Sequence, residues 1–172
     1  MNQIKKTYII DWSGPYTIDN IKDYIDSAAN CIYLISGLQK YQRGSEQVQY
    51  CGITQRDVIE RLEDEYHHIK EVPRDCQIWV GRFANPLFRR NRRNLELVEH
   101  LLIYHEKPYL NDKKTKSPPK EPVVVVNRWR DTNDKYRQRR LYAVQEIPDV
   151  IMFDGEEFWK ADRLIKNKNI QI

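Results

Sequence analysis

Two short runs decide the reading of this chain: Cys31-Ile32-Tyr33-Leu34-Ile35 and Gln49-Tyr50-Cys51-Gly52-Ile53-Thr54. Each is rich in β-branched and aromatic residues and reads as a strand. A period of two puts Tyr33 on one face with Cys31 and Ile35, and Tyr50 on one face with Val48 and Gly52. The polar loop between the runs, residues 37–47, exceeds a tight hairpin turn, yet its ends can be antiparallel neighbours. Gly52 leaves room beside Tyr50 for close approach of a backbone or a phosphate.

Outward from these runs, apolar spacing predicts further elements. Residues 7–11 read as a strand, and 17–28 as a helix with Ile18, Ile21 and Ile25 at helical spacing. Residues 57–71 read as a helix ending before Pro73, 76–83 as a third strand, and 94–106 as a long helix ending before Pro108. Residues 111–122 are rich in lysine and proline and read as a linker. Beyond it, 123–129, 140–145 and 150–153 read as strands, and 155–162 as a short helix. The expectation is a core over residues 1–112 followed by a linker and C-terminal extension over 113–172.

With 172 residues, 40% hydrophobic and 31% charged, the composition is that of a globular chain. The longest apolar run, Val123-Val124-Val125-Val126, is too short for a transmembrane helix, and residues 1–6 lack the apolar stretch of a signal peptide. A cytoplasmic location with no membrane partner is the default expectation. Cys31, Cys51 and Cys76 are too few and too widely spaced for a disulfide framework or a zinc ribbon. The net charge of +4 is modest, but it is clustered. Arg89, Arg90, Arg92 and Arg93 crowd one segment, and Lys113, Lys114, Lys116 and Lys120 another. Such clusters suit a polyanion such as nucleic acid; the plain alternative is a solvated surface.

On the helix expected at 94–106, about 100° per residue places Glu99 near ~40° from Leu95, between Leu95 and Ile103 on the apolar arc. A carboxylate there needs compensation, by a cation or by a buried arginine. On the helix expected at 57–71, Arg61 and His68 share a bearing and border one cleft, while His67 points to the far side. An intrahelical pair of Arg61 with Glu65 is the plain alternative. A phenol near pKa ~10 serves as a base only beside positive charge, which Arg61 and a cation on Glu99 can supply.

Taken in order, these pieces resemble the GIY-YIG nuclease superfamily. Cys31-Ile32-Tyr33 stands for the first signature, Tyr50-Cys51-Gly52 for the second, Arg61 for the helix arginine and Glu99 for the metal-binding glutamate. Pro108 and Asn111 stand for the closing proline and asparagine, so the match spans about residues 30–112. Many members carry a histidine one turn after the arginine; Glu65 holds that place here, with His68 or His67 as substitute. The resemblance implies a small α/β (α+β) fold, a central three-stranded antiparallel sheet flanked by helices. Here that fold would carry an N-terminal strand and helix and a β-rich C-terminal extension. It implies an endonuclease hydrolysing DNA with Mg2+ or Mn2+ held by Glu99. Tyr33 would be the base, aided by His68, Tyr50 would orient the phosphate or water, Arg61 would stabilise the transition state, and Asn111 would be structural. A nucleic-acid-binding module that keeps the fold without the activity is the rival expectation.

Overall fold

The structure, a computed structural model, describes residues 6–137 and 142–165. Strand β1 (Thr7–Tyr16) alternates between buried and more exposed positions. Strand β2 (Cys31–Leu38) is buried at every position, because it lies inside the sheet with both faces covered. It pairs antiparallel with β3 (Gln47–Thr54) and β4 (Arg74–Phe83), so that Tyr33 stands opposite Gly52 and Val80. These are the three antiparallel strands expected from sequence, but they do not end the sheet. β4 pairs antiparallel with β1, and β1 pairs parallel with β5 (Val123–Arg130). With β6 (Val150–Phe153) and β7 (Phe158–Ala161) the order is β3-β2-β4-β1-β5-β6-β7.

The fold expectation is therefore corrected. The chain forms a seven-stranded mixed sheet, curled like half a barrel and carrying short helices, not a small three-stranded sheet flanked by helices. The cause is edge pairing. A three-stranded sheet would leave the outer edge of β4 open, and β1 and then β5 cover it. Trp12 and Trp129 fix that seam: they are partners in the parallel register and their rings stack 5.5 Å apart. The Trp12 indole N–H also donates to Asn127 Oδ1 at 2.8 Å. The C-terminal strands thus continue the sheet of the N-terminal part.

Four α-helices and a 3₁₀ turn surround the site's strands. The expected helix over 17–28 shrinks to α1 (Ile21–Tyr24). The expected helix over 57–71 breaks into α2 (Val58–Leu62) and a 3₁₀ turn, His68–Glu71. The intervening Asp64, Tyr66 and His67 are poorer helix formers than the residues before them, and Tyr66 is exposed. A further short helix, α3 (Pro86–Arg89), precedes α4 (Arg92–Glu106). α4 starts at Asn91, whose side chain accepts from the Arg93 N–H, and stops at Lys107, which is left-handed at φ 48° ahead of Pro108.

Apolar clusters line both faces of the sheet. On one, Leu95, Val98 and Leu102 of α4 join Ile32, Leu34, Val123 and Val125. On the other, Cys31, Tyr33, Ile35 and Val80 join Ile21, Val58 and Leu62. Of the expected strand at 140–145, residues 140 and 141 lie outside the described residues, while Tyr142–Val144 is a 3₁₀ turn. The helix expected at 155–162 is instead the site of β7. Among the described residues no helix is long and apolar enough to cross a membrane.

Candidate functional site

Tyr33 and Tyr50 project from β2 and β3 with ring centroids 6.0 Å apart. Gly52, opposite Tyr33, makes this possible: a Cβ there would lie 2.7 Å from Cζ and Oη of Tyr33 and from Cε1 of Tyr50. The space left by Gly52 is thus filled by the phenol of Tyr33.

The structure brings His67, and not His68, to the Tyr33 hydroxyl. With the helix broken after Leu62, the helical bearings of the two histidines no longer apply. His67 is buried and its Nε2 lies 2.9 Å from Tyr33 Oη. Its Nδ1 accepts the Ile69 N–H at 3.0 Å. A neutral imidazole has one donor and one acceptor nitrogen, so Nε2 carries the proton and donates to Tyr33. Burial, followed by the charge of Arg61, lowers the His67 pKa to about 4, which keeps the ring neutral near pH 7. His68 packs on the Tyr50 ring at 4.8 Å and pairs with Glu71 at 2.6 Å.

The charge of Arg61 and the neighbouring Tyr50 both act on the Tyr33 hydroxyl. Tyr33 accepts the His67 Nε2–H, and its ring lies beside that of Tyr50. Arg61 pairs with Asp64 at 2.6 Å rather than with Glu65, and Asp64 also holds Arg56. Those hydrogen bonds, Arg56 first, hold the Asp64 carboxyl below its ordinary range. Burial raises the pKa of both phenols; Tyr33 is fully buried and Tyr50 only partly.

Glu99 is buried on α4, next to the far side of β3, and its charge reaches Tyr50 and Cys51. Burial raises its pKa, an effect opposed by Lys114, whose ammonium forms an ion pair with Glu99 Oε2. Glu96, by contrast, pairs near the surface with Arg92. Asn111 ties the following segment to β3: its Oδ1 accepts the Cys51 N–H and its Nδ2 donates to the Cys51 carbonyl, both at 2.9 Å. Lys113 is exposed.

The arginine cluster is partly engaged within the protein. Arg89 donates to the Phe83 carbonyl, Arg92 reaches Glu96 and Gln55, and Arg93 reaches Glu121. Arg90 is exposed. Through Gln55 the cluster lies by the end of β3, the strand that carries Tyr50.

Among the described residues no three His, Cys, Asp or Glu side chains gather as a metal cluster. A lone carboxylate still suits Mg2+ or Mn2+, because Mg2+ keeps several waters and draws further ligands from substrate phosphates. Glu99 is the carboxylate that could hold such a cation, at the place where the Lys114 ammonium faces it.

The sequence left the choice between His67 and His68 open and gave no role to Asp64 or to the engagement of Lys114 with Glu99. The poor helix formers after Leu62 were the available signal for His67 and Asp64. No known protein family, curated protein or solved structure matches this chain.

Proposed function

We propose that this chain is a GIY-YIG-like endonuclease that hydrolyses DNA phosphodiester bonds with a divalent cation. The observation that carries the reading is the hydrogen bond from His67 Nε2 to the buried Tyr33 hydroxyl, at the centre of a cluster with Arg61 and Tyr50. A buried polar network also rigidifies a core, but this one runs from the interior to a partly exposed phenol.

The His67 hydrogen bond and the unequal burial of the two phenols divide the tyrosine roles differently from the sequence expectation. Tyr33 is walled in and has lost acidity through burial, so it serves as the support behind Tyr50. Tyr50, first ionised by loss of its proton to solvent under the charge of Arg61, takes the proton of the attacking water and becomes a neutral phenol beside Tyr33, which His67 holds in place. Arg61 also meets charge developing on the phosphate, and Asp64 holds its guanidinium in place. Glu99 would hold Mg2+ or Mn2+, which when bound supplies Lewis-acid polarisation of the phosphate. Arg90 and its neighbours grip the backbone of the DNA.

The second reading, a DNA-binding module without activity, draws on the Lys114 ion pair that covers Glu99. Nicking of supercoiled plasmid with Mg2+ separates the two. The nuclease reading expects nicking by the wild type and its loss in Glu99→Gln, with DNA binding retained. Equal nicking by both proteins would refute it.

A further inference from the structure

Lys114 is placed with some care. Its backbone is left-handed at φ 66°, a conformation that non-glycine residues rarely adopt. The segment that carries it is moored at several points. Asn111 binds the Cys51 backbone of β3, His100 of α4 meets the Ser117 carbonyl at 2.8 Å, and Glu121 binds Arg93 at 2.8 Å. Between these moorings the Lys114 ammonium comes down on Glu99, whose side chain is only 12% exposed against 30% for the lysine. The stretch read from sequence as a linker is thus a strap over the one buried carboxylate of the candidate site.

We propose that Lys114 is a built-in latch: its ammonium holds the cation position on Glu99 in the free protein, and a divalent cation must displace it to bind. This rests on the nuclease reading above and adds a regulation to it. Lys114 and a divalent cation compete for the same carboxylate, so each weakens the other. DNA tips the competition, because its phosphates add ligands to the cation and receive the released ammonium. Metal and DNA then bind cooperatively, and the cation is held weakly until substrate is present. The strap need not unfold, since a lysine side chain has enough rotatable bonds to swing from its moored backbone.

The test is Mn2+ binding without DNA, followed by electron paramagnetic resonance, for the wild type, Lys114→Met and Glu99→Gln. Lys114→Met should bind Mn2+ on the order of tenfold more tightly than the wild type, within the usual range for two coupled ligands. Glu99→Gln should lose the site. Because Lys114→Met strands a buried charge and can impair folding, acetylation footprinting of the wild type gives an independent measure. Saturating Mn2+ should raise the reactivity of Lys114 several-fold and leave Lys113 and Lys116 unchanged. Equal Mn2+ affinity in the wild type and Lys114→Met, or an unmoved Lys114 footprint at saturation, overturns the latch. If Glu99→Gln still abolishes nicking in that case, the nuclease reading stands without it. Absence of Mn2+ binding in both the wild type and Lys114→Met overturns the latch together with the metal assignment.

Discussion

Gly52→Ala tests the geometry on which the candidate site depends. The added Cβ would meet Tyr33 Cζ, Tyr33 Oη and Tyr50 Cε1, each at 2.7 Å. Ordinary carbon contacts begin near 3.5 Å, so each ring must retreat by about 0.8 Å. Neither moves freely: Tyr33 is fully buried and bonded to His67, and Tyr50 packs against both His67 and His68. Overpacking of this kind costs about 1–3 kcal/mol. A shift approaching 1 Å in a reacting group lowers catalysis by roughly 10²-fold. Urea unfolding followed by tryptophan fluorescence measures the first effect, and single-turnover nicking the second. Tyr33→Phe removes Oη, one of the clashing atoms, so Gly52→Ala/Tyr33→Phe should be less destabilised than the sum of the two single changes. A stability change within 0.5 kcal/mol for Gly52→Ala (roughly the scatter of neutral surface substitutions), together with full additivity, would refute this packing.

His67 supplies a pH dependence. Its pKa falls from an ordinary 6.5 to about 4 on folding, so between those values the unfolded chain binds a proton that the folded chain does not. Stability should therefore fall as pH drops from 6.5 toward 4, by roughly 3 kcal/mol in all, and His67→Gln should flatten this part of the curve in urea titrations. A wild-type slope retained in the variant would contradict the assignment. Asn111→Ala removes both hydrogen bonds to Cys51 and should cost about 1–3 kcal/mol, with faster exchange of the Cys51 amide; unchanged exchange would count against the tie. Replacing Arg89, Arg90, Arg92 and Arg93 by glutamine should flatten the salt dependence of DNA binding. The change should be smaller than four full phosphate contacts, at about 0.9 each, because three of these arginines already hold internal acceptors. An unchanged salt slope would assign the cluster to the solvated surface.

Local elements are legible in the chain itself: the apolar strand around Tyr33, the run from Tyr50 to Thr54, and the helix that buries Glu99. Each follows from residue types or a periodicity lying within a dozen residues, with Pro108 closing the helix. The spacing also places Glu99 on an apolar face, since a helix fixes bearings from spacing alone. What each element meets is settled by packing between distant parts of the chain. The parallel pairing of β1 with β5 joins residues more than a hundred positions apart, and the stacked Trp12 and Trp129 that lock it leave no local pattern. Likewise, His67 reaches Tyr33 because the chain turns after Leu62 into packing that the apolar spacing of residues 57–71 does not announce. Lys114 reaches Glu99 because Asn111 and Ser117 fasten its segment to β3 and α4. Contacts of that kind are chosen by the whole core at once, which is why composition and spacing read Lys114 only as one lysine of a basic cluster suited to a polyanion.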